Sequence, residues 1–467
     1  MRTTIPPGVG VDARDRRRLA RKTLVVGALI ACLASGPELR GSSERPTASA
    51  PEPRAGVFHA TDAQLAGLIA DLLEVNPEVR AARARSEATL ERVPQHKSLP
   101  DPTVTYRYFS GGPETRVGPQ QHGLEVRQGV PWFGKRQLQA ERAGYEAAGD
   151  AWRARGLERA LVAELKQSYF EVAYLQEALA VNAEESRLLQ RFEQTALTRY
   201  ATGEGIQQSV IKVQTEISRL ADREAALRQR LGAATYRIAR LTGRTEAAVR
   251  LEPIRLELPE LEHDPEVLED ESLRDHPGVR ALEEAVRADE AWLRRQRLDA
   301  RPDFRFAVGY VKVDDREDTA GILVPPEDNG QDTWTLSVGI TVPVFRKKLR
   351  AGEAEAHQRV RSSEYRLDGA RDRLRYTVQE SLLRLQSARD RARLYADVIV
   401  PQAEQSLASA EAAYATNRQS FLDLLDAERV LFQARLTYHR LLADHWIALA
   451  DIEYGLGRGF PSEGNEP

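Results

Sequence analysis

The sequence predicts a mainly α-helical chain built from one unit used twice, each copy joining a β-hairpin to a long antiparallel helical hairpin. Three observations carry this. Phe304, Phe306, Val308 and Tyr310 alternate with Arg305, Ala307 and Gly309, and Trp334, Leu336, Val338, Ile340 and Val342 alternate with Thr335, Ser337, Gly339 and Thr341, a period of two that marks strands. From Lys135 to Tyr200 there is no proline, and good helix formers dominate. Short motifs also recur in order along the chain at a shift of 200 to 214 residues, the mark of a tandem duplication.

At the N-terminus, Arg16, Arg17, Arg18, Arg21 and Lys22 precede an apolar segment from Thr23 to Ala34. A basic region followed by about a dozen apolar residues reads as an export signal. Its end, Leu29-Ile30-Ala31-Cys32, resembles the bacterial lipobox, in which the cysteine becomes the lipidated first residue. The alternative is an ordinary signal peptide with an incidental cysteine. Cys32 is the one cysteine of the chain, so no intrachain disulfide forms. Residues 1–31 are thus expected to be a signal peptide and residues 32–60, rich in Pro, Ser, Ala and Gly, an unpacked tether.

The first unit is expected over residues 61–260 and the second over 261–459, followed by a short tail at 460–467. Each opens with a helix pair interrupted at Pro77 or Pro277, where proline suits the first turn of a new helix. Asn76-Pro77-Glu78-Val79-Arg80-Ala81 matches His276-Pro277-Gly278-Val279-Arg280-Ala281. A hairpin follows, at 103–130 in the first unit and 303–342 in the second, opened by Pro100-Asp101 and Pro302-Asp303. A hairpin half-buried in a soluble sheet and a transmembrane hairpin share this pattern, and the second unit's runs are long enough for either. Arg107, Glu125, Arg127 and Arg305 occupy polar-phase positions. They would be odd in a soluble core and ordinary on the wall of a watery lumen.

After the hairpin, Leu161, Leu165, Ser168, Val172, Leu175, Leu179 and Asn182 step by three or four, the seam of a coiled coil. The chain turns at Gly203-Glu204-Gly205 and returns over about Ile206–Leu241. The second unit repeats this with Leu349–Tyr414 and Phe421–Gly455, and Pro401 is expected to break or kink the longer helix.

Charged residues make up 29% of the 467 and aromatics only 6%, as in long, solvent-washed helices. A net charge of −3 with Arg balanced by Glu and Asp gives no nucleic-acid footprint. No run of about 20 apolar residues could form a transmembrane helix. The eight histidines show no ligand spacing and Met1 is the only methionine. Nucleophile elbows, P-loops and Cys/His metal frameworks are absent from the sequence. The chain is not expected to be an enzyme or to need a cofactor.

The repeated unit, the paired Pro-x-Val-Arg-Ala starts, Val130-Pro131-Trp132-Phe133-Gly134-Lys135 after the first hairpin, and the turns Tyr200-Ala201-Thr202-Gly203 and Tyr414-Ala415-Thr416-Asn417 together resemble the TolC-like outer-membrane factor family. The resemblance covers about residues 61–457 and implies a homotrimer. Four strands per chain would complete a twelve-stranded barrel in outer-membrane lipid, continued by the helices as a periplasmic tunnel. It also implies partners: a periplasmic adaptor docking at the hairpin tips, around Tyr200, Gly203, Tyr414 and Asn417, and an inner-membrane pump of the RND type that supplies the energy. The form Pro131-Trp132-Phe133-Gly134-Lys135 is similar to that of the copper/silver and cobalt/zinc/cadmium branch, so heavy-metal efflux is the favoured export.

Carried over residue by residue, the family's periplasmic aperture falls on Tyr414, Asp423 and Asp426. Two aspartates three apart share a helix face, and threefold symmetry would gather six carboxylates that attract cations. The family's arginine five residues after the tyrosine is Gln419 here, beside Arg418, and Ser209 stands where an aspartate is common, so the closing network is expected to be wired differently. A solvated acidic patch favoured by the helix dipole would look the same. The competing readings are a periplasmic coiled-coil adaptor lipoprotein without a pore and a purely structural coiled coil. Neither explains two alternating hairpins at equivalent places in a duplication.

Overall fold

The computed structural model describes residues 63–457 apart from 246–248, 250, 260–264 and 417. Cys32, Asn417 and the expected signal peptide, tether and tail lie outside the described residues.

The first unit opens with α1 (Ala63–Val75), α2 (Pro77–Leu90) and α3 (Arg92–Lys97). Helix α1 buries Leu65, Leu68, Ile69 and Leu72, one face of a 3.6-residue period. Asn76 separates α1 from α2 and caps the latter: its Oδ1 accepts from the Glu78 and Val79 amides at 2.8 and 3.3 Å, meeting donors that a helix start leaves unpaired. Pro77 follows in the first turn. His276 does the same work in the second unit, accepting from Gly278 N through Nδ1 at 3.1 Å ahead of Pro277. Burial lowers the His276 pKa, which keeps that nitrogen free to accept.

Strands β1 (Thr103–Tyr108), β2 (Glu114–Thr115) and β3 (Gly118–Val130) come next. Helix α4 (Lys135–Ala201) then runs unbroken for 67 residues, about 100 Å at 1.5 Å per residue. Helix α5 (Gln207–Thr242) returns beside it. All the seam residues of α4 are buried except Leu179, which packs partly buried against the same core.

The second unit repeats the order with α6 (Pro265–Asp275), α7 (Pro277–Arg297), β4 (Asp303–Val313), the short α8 (Thr319–Leu323), β5 (Thr333–Thr341), α9 (Arg346–Leu394), α10 (Val400–Ala415) and α11 (Phe421–Leu456). Pro401 does not break the chain's helical course. The residues Tyr395–Ile399 take a π turn, and Pro401 falls in the first turn of α10. A widened turn absorbs the amide that proline lacks.

Two cores result. The larger joins α1, α4, α5 and α11 around Tyr169, Phe170, Ile238, Trp446 and Ile452. The second lies toward the hairpin tips and joins α4, α5, α10 and α11 around Leu189, Phe192, Val213, Leu424 and Phe432. Among the described residues no helix is long and apolar enough to cross a membrane.

Candidate functional site

The β-hairpins of the two units form one antiparallel sheet in the order β1-β3-β4-β5, with β2 paired to β3 at its far end. The register is in phase across all four strands. Val126 lies opposite both Val104 and Val308, Leu124 opposite Tyr106 and Tyr310, and Phe306 opposite Val338. Directly opposed residues point to the same side of a sheet, so the even-numbered residues form one face. That face is largely apolar and exposed, with His122, Gln128 and Lys312 its polar members: Val104, Tyr106, Tyr108, Leu124, Leu336, Val338 and Ile340 all stand open, Leu336 at 76% of its area.

The other face carries Arg107, Glu125, Arg127 and Arg305 beside Ala307, Gly309, Thr335, Ser337 and Gly339. Glu125 opposes Thr105 and Gly309, Arg127 opposes Thr103 and Ala307, and Arg305 opposes Gly129 and Gly339. Glu125 draws in two of the arginines, with Arg107 Nη2 at 3.4 Å and Arg127 Nη2 at 2.5 Å. All four charged residues singled out from the sequence are therefore brought to one surface.

The sheet is tied to the helices at one buried cation. Lys135, the first residue of α4, is buried, with Nζ 2.8 Å from Asp303 Oδ1, 3.7 Å from Asp299 Oδ1 and 3.3 Å from the Arg301 carbonyl oxygen. Asp303 Oδ1 also accepts from Trp132 N at 2.8 Å, and the Trp132 ring stacks on Phe304. Gly134 turns the chain into the helix at φ +87°, a conformation that glycine adopts without strain. Trp132, Gly134 and Lys135, which stood out in the sequence as parts of a motif, are the joint between sheet and helix. The lysine's partner was not legible there.

At the opposite end the two helical hairpins turn. Gly203 sits at φ +77°, and the Glu204 and Gly205 amides donate to Arg199 O at 2.9 Å. Tyr200 is half exposed. In the second hairpin, Ser420 caps α11: its Oγ accepts from Asp423 N at 3.3 Å, while Asp423 Oδ2 accepts from Ser420 N at 3.1 Å, a reciprocal capping box. Asp423 thus holds a helix start, and Asp426, one turn on, is exposed.

Tyr414 is held by the other hairpin. Arg199 lies 4.2 Å over its ring and donates through Nη2 to the Tyr414 and Ala415 carbonyl oxygens at 2.9 and 3.2 Å. A cation at the C-terminal end of α10 is favoured by the helix dipole, and its stacking adds about 0.5–1 kcal/mol. The Phe421 ring closes the other side at 5.5 Å. A second tie follows at Arg429 Nη2–Glu216 Oε1, 2.8 Å, between α11 and α5. Sequence reasoning named Tyr414 but missed Arg199, one residue before Tyr200 on a face that reads as ordinary helix surface. Among the described residues no group of three acidic, histidine or cysteine side chains could hold a metal.

Residues 268–458 match the family model of outer membrane efflux proteins. The cobalt-zinc-cadmium resistance protein CzcC of Cupriavidus metallidurans is 24% identical over 393 residues, covering 82% of this chain and 87% of that protein. The probable outer membrane lipoprotein SilC of Salmonella typhimurium is 23% identical over 428 residues, covering 85% and 87%. Among solved structures, the outer membrane protein VceC of Vibrio cholerae superposes with a TM-score of 0.73 at 18% identity, covering 88% of this chain and all of the other.

Proposed function

We propose that this chain, which belongs to the outer membrane efflux protein family, is the outer-membrane channel subunit of a tripartite efflux system. The single observation that carries the reading is the two-faced sheet. Among the described residues its β1 and β5 edges each lack a neighbour, and its even face is a broad, largely apolar exposed surface. Lipid tolerates a sheet only when its edges are closed. Three copies joined edge to edge give a twelve-stranded barrel, with the even face toward outer-membrane lipid and Arg107, Glu125, Arg127 and Arg305 lining the lumen. The helical hairpins continue that duct into the periplasm.

The tips around Tyr200, Gly203, Tyr414 and Asn417 dock a periplasmic adaptor, and an inner-membrane pump of the RND type drives export. Tyr414, Asp423 and Asp426 form the periplasmic aperture. The favoured cargo is a heavy-metal cation, supported by the likeness to CzcC and by the Trp132-Phe133-Gly134 joint. Cys32 carries a lipid anchor, a reading supported by the likeness to SilC. A poreless adaptor would leave the four-stranded sheet and its open edges without a role.

Extraction of the full chain in detergent and reconstitution into planar bilayers tests the channel. Heat-modifiable trimers that conduct ions are expected; a monomer without conductance would overturn the reading. Loss of the gene should sensitise its host to cobalt, zinc, cadmium, copper or silver, and unchanged tolerance to all five would remove the metal assignment alone.

A further inference from the structure

The tip-proximal core contains a polar layer that the channel reading does not use. Glu185 of α4 and Glu428 of α11 are buried, 5% and 3% exposed, with their carboxyl groups close enough to act on each other. Val181, Leu188 and Leu189 flank the pair on one helix, and Leu424, Leu425, Leu431 and Phe432 on the other. Arg223 of α5 reaches Glu185 Oε2 at 2.9 Å. Glu428 Oε1 has no hydrogen-bond partner.

The charges around the pair do not balance if both groups ionise. From α5, Arg223 and Glu216 face it, and Glu216 is itself shared by Arg219 and Arg429. From α11, Arg429 contributes weakly because it is turned to Glu216. Glu404 of α10 and Glu184 of α4 turn to Arg435 instead. One guanidinium thus serves two buried carboxyls, and an ionised carboxylate cannot donate to another. The donor missing at this contact is a proton.

We propose that Glu185 and Glu428 share one proton that ties α4 of the first hairpin to α11 of the second, and that losing it in mildly alkaline solution loosens the two hairpins from each other. Desolvation by burial raises both carboxyls above the ordinary range, and each negative neighbour raises Glu428 further, to about 8. The sign follows from the direction. With the folded value raised, the tie is complete at acidic pH, weakens as pH rises above the ordinary carboxylate value, and is gone once Glu428 has ionised. Above that point two like charges face each other in an apolar layer, and the hairpins are pushed apart where Arg199–Tyr414 and Glu216–Arg429 are the nearby ties.

The test is infrared spectroscopy of the full chain in detergent, titrated from roughly pH 5 to 9, with hydrogen exchange of the first turns of α11. A protonated-carboxyl band is expected near neutrality that disappears on alkaline titration and is absent in Glu428→Gln. The Glu185→Gln variant offers a second removal of the pair should the first fail to assemble. In alkaline solution exchange at residues 421–435 should be roughly tenfold faster in the wild type than in Glu428→Gln, the weight of one pKa unit. The two proteins should match at the acidic end. A wild-type spectrum with no protonated carboxyl near neutrality, or equal alkaline exchange in both proteins, overturns the proposal. Both readouts are independent of what the channel carries.

Discussion

Lys135 Nζ lies 2.8 Å from Asp303 Oδ1, joining the first turn of the longest helix to the first residue of β4 across 168 positions of sequence. The lysine is buried and the aspartate is 41% exposed, so the geometry matters more to one partner than to the other. Removing Asp303 leaves a buried ammonium with only Asp299 and a carbonyl oxygen. Asp303→Ala should therefore cost on the order of 2 kcal/mol, below the figure for a fully buried pair, while Lys135→Met should cost less because packing is kept. Thermal unfolding in detergent checks the order of the two; equal losses would show that charge burial is not the governing effect.

The faces of the sheet make a paired prediction. An arginine in mid-membrane on the lipid side costs about 2–4 kcal/mol and far less on a lumen wall. Val338→Arg should impair assembly, whereas Ser337→Arg, one residue away on the other face, should assemble and alter conductance. Equal tolerance of the two would contradict the barrel.

At the tips, Arg199→Ala removes the stacking on Tyr414 and the cap on α10. The closed channel should leak more current in planar bilayers, with trimer formation intact. An unchanged baseline current would take Arg199 out of the closure.

Asp426→Asn isolates the charge of the proposed aperture, since Asp426 is exposed, whereas Asp423→Asn also disturbs the capping box. Both should weaken cation selectivity, and only Asp423→Asn should cost stability, about 1 kcal/mol. Reversal potentials across a salt gradient that do not move in the double variant would place the constriction elsewhere in the tunnel.

His445 is buried between α11 and α9, with Nδ1 3.4 Å from Leu385 O and Nε2 without a hydrogen-bond partner. Desolvation, with Arg389 and Arg393 nearby, lowers its pKa to about 4. A depressed folded value means that the neutral ring stabilises the fold above the unfolded value. That stability is lost as pH falls through the window from about 6.5 to about 4, on the order of 3 kcal/mol in all. His445→Gln should flatten the acid limb of a stability profile; an identical limb would assign acid sensitivity to another group.

Cys32 should be acylated in the mature protein. Buried acyl chains contribute about 0.8 kcal/mol per CH₂, but the proposed barrel would anchor the chain as well, so Cys32→Ser should change processing more than final residence. Mass spectrometry that finds an unmodified N-terminus beyond Cys32 would end the idea.

Period and spacing alone determined which residues share a face. The two-residue alternation put Arg107, Glu125, Arg127 and Arg305 in one phase, the three-four step marked the buried seam of α4, and proline and glycine placed helix starts at Pro77 and Pro277 and the turn at Gly203. These are local properties, set by backbone geometry within a few residues, and the chain cannot fold without obeying them. Which charged residue meets which was not decided there. Lys166, Glu185 and Glu453 read as solvent-washed helix charges, Lys135 read only as part of a motif, and the one local signal was that Glu185 falls three residues after Asn182 on the buried seam. Only the tertiary structure joined Lys166 to Glu453 and Arg199 to Tyr414, set Glu428 against Glu185, and paired β3 with β4 so that two hairpins became one sheet. A helix's own periodicity fixes the direction in which a side chain leaves it, but the partner waiting there is set by how four long helices and two hairpins pack, and that packing is resolved only when the whole chain has folded.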